Sequence, residues 1–194
     1  MKPFIVLIPG MMCNQCVFSH QINALEKFFN VIVIEFNEHC DIELGVRNLA
    51  SNLPNKFHLL GHSMGGIVAM EFVKQHRERV LSLVLLNTNP YEEKQEIKDR
   101  RNIILKELDA LDLITLMRSD YISRYFPDDC RDKNILIQKC VDMASTLDKK
   151  VFYNQSVALR DRKDQTAILE NLNCKTLLIC CLLYTSDAAD DGLC

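Results

Sequence analysis

The chain has 194 residues, 48% of them hydrophobic, 25% charged and 7% aromatic, which fits one globular domain with a core and excludes disordered, collagenous and fibrous classes. Twenty-three Lys and Arg stand against 26 Asp and Glu, a net charge of −3, so nothing in the balance favours a phosphate backbone and no nucleic-acid partner is expected. The first apolar run, Phe4 to Ile8, is closed by Pro9-Gly10, well short of the ~20 residues of a membrane span or the ~7–15 of a signal h-region. No membrane partner and a cytoplasmic location are therefore expected.

Five apolar runs read as strands: Phe4 to Ile8, Val31 to Phe36, Phe57 to Leu60, Leu81 to Asn87 and Lys175 to Cys180. They are continuous rather than alternating, as strands covered on both faces must be. Helical stripes separate the first four: Phe18, Ile22, Leu25 and Phe29, then Val46, Leu49, Ala50 and Leu53, then the almost wholly apolar Met64 to Val73. Strands alternating with helices at this spacing predict an α/β fold with a doubly wound, mostly parallel sheet. The alternation stops from Thr88 to Asn173, where helical patterns follow one another without a strand. Ile97, Ile104, Leu105, Leu108 and Leu111 form one stripe, and Leu136, Cys140, Met143 and Leu147 another, broken at Pro127 and Asp128-Asp129. The charges Glu92, Glu93, Lys94, Arg100 and Arg101 are expected to face solvent. Nine cysteines, an odd count without a secretion signal, are expected to stay reduced, with Cys40, Cys140 and Cys180 acting as small hydrophobes.

The chemistry is concentrated at Phe57-His58-Leu59-Leu60-Gly61-His62-Ser63-Met64-Gly65-Gly66, a strand, then G-x-S-x-G, then a helix. That context is what a nucleophile elbow requires: the serine protrudes from a strained turn, and the glycines remove Cβ atoms that would collide there. Acyl transfer also needs donors for the developing oxyanion. The backbone N–H of Met64 at the helix start is one candidate, and the loop Pro9-Gly10-Met11-Met12 after the first strand offers the N–H of Met11 as the second. Cys13-Asn14-Gln15-Cys16 is a C-x-x-C and opens a competing thiol-redox reading.

On Ile8-Pro9-Gly10-Met11-Met12, Gly61-His62-Ser63-Met64-Gly65-Gly66, Leu83-Val84-Leu85-Leu86-Asn87-Thr88 and Lys175-Thr176-Leu177-Leu178-Ile179, residues 3 to 180 resemble the α/β-hydrolase superfamily, in its branch of small esterase-like enzymes with a helical cap. The resemblance implies a core of residues 1–87 plus 161–180 and a cap of residues 88–160 over Ser63. It implies a serine hydrolase acting on a small ester, amide or thioester through an acyl-enzyme, with no cofactor and no metal. It also implies an acid after the next-to-last strand, commonly as G-x-x-D, and a histidine after the last strand. Here the expected Gly is Cys181 and the expected Asp is Tyr184; Asp187 comes three residues late, and no histidine follows His76. His62 is expected to point away from Ser63, and His20, His39, His58 and His76 to be surface or satisfied polar groups. Residues 181–194 resemble a translated sequencing-adaptor fragment, so this stretch is expected to be a non-native tail, the sheet to be incomplete and the chain to be nearly inactive. A non-catalytic small-molecule-binding protein is the remaining alternative.

Overall fold

The computed structural model describes residues 2–180; the tail 181–194, with the acid positions expected within it, lies outside the described residues. Strands β1 (Phe4–Ile8), β2 (Asn30–Val33), β3 (Phe57–His62), β4 (Val80–Leu86) and β5 (Lys175–Ile179) form one all-parallel sheet in the order β2-β1-β3-β4-β5. Helix α1 (Ser19–Leu25) covers one face, where Phe18, Ile22, Leu25 and Phe29 pack on Ile5, Leu7 and Leu60. Helices α2 (Ile42–Ala50) and α3 (Met64–His76) cover the other face, over Val6, Leu59 and Leu83. The continuous apolar strands thus have their expected cause, since adjacent residues such as Val6 and Leu7 are both fully buried although they point to opposite faces.

Helix α2 starts where the Asp41 carboxylate accepts the N–H of Leu44 at 2.7 Å, satisfying an amide with no helical partner. Helix α3 has no such cap. Its first ten residues, Met64 to Val73, are all buried, and burial worth about 1.5–3 kcal/mol per large apolar side chain holds it in place.

Two strand ends differ from expectation by more than one residue. β2 ends at Val33 rather than Phe36 because its neighbour β1 stops at Pro9-Gly10, and Phe36 turns away to pack against Gly45, where a Cβ would strike its ring. β3 runs on through Gly61 and His62 because Leu85 and Leu86 of β4 continue to pair with them.

No strand interrupts the chain between β4 and β5. It folds there as α4 (Gln95–Glu107), α5 (Leu113–Leu116), a π-helical turn at Met117–Tyr121, a short 3-10 turn, α6 (Lys133–Ser145), α7 (Lys149–Arg160) and α8 (Thr166–Glu170). The α4 stripe packs as expected through Ile104, Leu105 and Leu108. The α6 stripe is largely where it was expected, with Met143 buried and Cys140 and Leu147 on the core beside Ile137, Val141 and Ala144; Leu136 alone of the stripe does not join them. Cys40 and Cys180 are exposed rather than core residues, because the one sits in the loop before α2 and the other follows the edge strand. No disulfide joins the described cysteines.

Cover thins toward β5. Leu60, Val84 and Leu177 are register partners across β3, β4 and β5; the first is buried, the second half-buried and the third 55% exposed.

Candidate active site

Ile8 and Gly61 are register partners, so the loop after β1 and the turn after β3 emerge side by side at the carboxyl edge of the sheet, where ligands bind in open parallel folds. Ser63 occupies that turn with φ 53° and ψ −118°, a left-handed conformation unfavourable for a side-chain-bearing residue. Three features hold it. The Ser63 N–H donates to the Leu86 carbonyl at 2.9 Å and the Ser63 carbonyl accepts from Gly66 at 2.8 Å, and α3 lies so close to β1 that a Cβ on Gly65 would overlap the Ile8 carbonyl oxygen. An alanine at Gly10 would put its Cβ 3.2 Å from that of Ser63 and 3.3 Å from Nδ1 of His62. The Gly10 loop and the serine turn are therefore in contact.

Ser63 is half-buried and lines a cleft of about 850 Å³ that it shares with Met11 and Met64. In the β1 loop the Cys13 N–H donates to the Gly10 carbonyl at 3.2 Å, and the Met12 N–H to Oε1 of Gln155 at 2.8 Å. Among the described residues this leaves Gly10 and Met11 as the amides of that turn without such a bond. Gln155, on α7 and 2% exposed, also donates through Nε2 to the Phe36 carbonyl and to Oδ1 of Asn37, both at 3.0 Å. It fixes the loop at Met12, whose φ is 54°, and nothing in the sequence around it marks it for this role.

No described histidine is hydrogen-bonded to Ser63. The His62 ring packs edge-on against Phe18, and its buried Nδ1 has no partner; burial lowers its pKa from the ordinary 6.5. His58 Nδ1 pairs with the Ser82 hydroxyl at 2.8 Å, His39 packs on Phe36 and His76 on Phe72, while His20 is exposed. After β4 stands Asn87, with φ 47° and its N–H on the Ile179 carbonyl at 2.8 Å.

In the C-x-x-C, Cys16 is exposed and Cys13 is not. Burial pushes the Cys13 thiol up to about 12, the opposite of the depressed pKa that makes a thiol reactive. No three described His, Cys, Asp or Glu side chains converge as metal ligands would.

The far wall of the cleft overturns one expectation. Glu92 and Lys94 are exposed, but Glu93 is 3% exposed, and its carboxylate is held by Arg101 at 3.0 Å and Arg162 at 3.2 Å. The burial is tolerated because both oxygens are paired. Arg100 reaches Asp120 of the π-helical turn at 2.8 Å. Glu93, Arg101 and Arg162 are site residues that local pattern could not reveal: a carboxylate inside a Glu-Glu-Lys run looks solvated until its partners, 8 and 69 positions along the chain, are brought to it.

The model of the alpha/beta hydrolase fold family matches residues 42–168. A pimeloyl-[acyl-carrier protein] methyl ester esterase of Vibrio atlanticus is 30% identical over 96 residues, 45% of this chain and 37% of that protein, so the match spans little more than a third of the relative's length. Among solved structures, an esterase from Thermogutta terrifontis superposes with a TM-score of 0.80 at 22% identity, covering 92% of this chain and 72% of that one. An enol-lactonase from Burkholderia xenovorans LB400 gives a TM-score of 0.81 at 15% identity over 98% and 88% of the respective chains. These structural likenesses concern the fold.

Proposed function

Because this chain belongs to the alpha/beta hydrolase fold family, we propose that it is a serine hydrolase of small esters, amides or thioesters, with Ser63 as the nucleophile. The observation that carries the reading is the strained Ser63 turn, packed against the Gly10 loop and opening on a cleft. The hydroxyl would attack an acyl carbon, and the negative charge developing on the carbonyl oxygen would be met by the N–H groups of Met64 and Met11. Met64 also brings the positive end of α3. The helices of residues 88–160 would act as the cap that shapes the substrate pocket. No described histidine is bonded to Ser63, so residues 2–180 by themselves would leave the serine without a base. Turnover is then expected orders of magnitude below that of a complete triad.

The test is stoichiometric labelling with a fluorophosphonate, which needs the nucleophile and the oxyanion donors but no turnover. Slow labelling to one equivalent, abolished by Ser63→Ala and kept in Cys13→Ser, is expected. Labelling that survives Ser63→Ala would overturn the assignment. That no described histidine pairs with Ser63 favours one second reading, a non-catalytic binding protein; complete absence of labelling in a chain that still binds small esters would select it.

A further inference from the structure

In the Glu93, Arg101 and Arg162 cluster that lines the cleft of Ser63, two positive charges meet one negative. Arg101 and Arg162 share the single carboxylate of Glu93, and the three side chains are 11%, 7% and 2% exposed. Arg100 adds nothing to the excess, since Asp120 offsets it. A positive charge held away from water is costly unless an anion partners it. Arg162 directs Nε to the Tyr91 carbonyl at 2.8 Å and Nη2 to Glu93. Arg101 gives Nε and Nη2 to Glu93, but its Nη1 meets only the Met11 sulfur, at 3.8 Å. A thioether is a weak acceptor, so this end of the guanidinium keeps its donor capacity. Burial, and then the like charge of Arg101, push Arg162 below its ordinary range against the pull of Glu93, although a guanidinium stays protonated there.

We propose that Arg101, held by Glu93 and backed by Arg162, is a specificity-determining residue that binds a carboxylate on the substrate, so that the preferred substrates are small half-esters of dicarboxylic acids. The open Nη1 lies at Met11, the residue whose N–H would receive the oxyanion, in the same cleft as Ser63. Ile67, Ile97 and Leu159 line the cleft and would contact the aliphatic spacer between the two functional groups. Guanidinium and carboxylate are planar and pair through two parallel hydrogen bonds, and the partial burial of the site strengthens that pairing relative to water. The word substrate rests on the serine-hydrolase reading above; the anion site does not.

Titration calorimetry on the Ser63→Ala chain, which cannot turn over, tests the site without the nucleophile. Monomethyl glutarate is expected to bind at least ten-fold more tightly than dimethyl glutarate. Arg101→Gln should erase that preference, and Arg101→Lys, a point charge without the fork, should retain only part of it. Equal affinity for the two esters, or binding of neither, would overturn the proposal. So would an undiminished preference in a folded Arg101→Gln chain, with circular dichroism as the check. If Arg101→Gln does not fold, an unchanged preference in Arg101→Lys overturns the proposal equally, and a several-fold drop supports it. Inorganic phosphate displacing the half-ester better than glutarate does would refute the carboxylate assignment. Failure of fluorophosphonate labelling alongside half-ester selectivity would count against the serine chemistry alone.

Discussion

His62 is a buried imidazole beside the proposed nucleophile, with Nδ1 unpartnered, and its environment gives it a pH signature. Burial favours the neutral ring, so the folded chain releases the proton at a lower pH than the ordinary 6.5. As pH falls, the unfolded chain takes up that proton first, so the stability contributed is complete above about pH 6.5 and is lost on acidification. The window from about pH 7 to about pH 5.5 spans the descent through that ordinary value. The melting temperature is expected to fall across that window, with a shallower slope in His62→Gln. Identical slopes in the two chains would contradict the assignment.

Polar anchors tie the helices between β4 and β5 to the sheet edge that carries Ser63. Gln155 of α7 reaches Met12 and Phe36, and Glu93, in the link from β4 to α4, joins Arg101 of α4 to Arg162 beyond α7. Each anchor is buried, so breaking one leaves an uncompensated group rather than a hydrated one. Glu93→Gln removes the negative charge while two guanidinium groups stay buried, and is expected to cost about 3–5 kcal/mol. Glu92→Gln, one residue earlier and exposed, should stay within about 0.5 kcal/mol. Urea denaturation of the two variants measures the contrast, and equal midpoints would show that the Glu93 pairs contribute nothing.

The sheet as a whole is covered unevenly. β5 is an edge strand paired only with β4 among the described residues, and Leu177, Leu178 and Ile179 are 55%, 68% and 44% exposed. An apolar edge with unpaired backbone groups is a template for another chain. Concentration-dependent self-association is expected, and Leu178→Lys should reduce it by placing a charge on the strand. Sedimentation across a concentration series reads this out; equal association of both chains would locate the contact elsewhere.

Much of the architecture could be read from the linear chain. Continuous apolar runs marked all five strands, and the glycines at Gly61 and Gly65 marked a turn that tolerates no Cβ, because these signals are local: a strand buried on both faces and a crowded bend each constrain the residues that form them. Register and neighbours were not legible in this way. Where β2 stops depends on Pro9, just past the end of another strand, and whether Glu93 is solvated depends on Arg162 being carried across the molecule to meet it. A charge has no intrinsic inside or outside; only the folded chain supplies the partners that make burial affordable, and so the chemical character of the cleft opposite Ser63 was decided by tertiary structure.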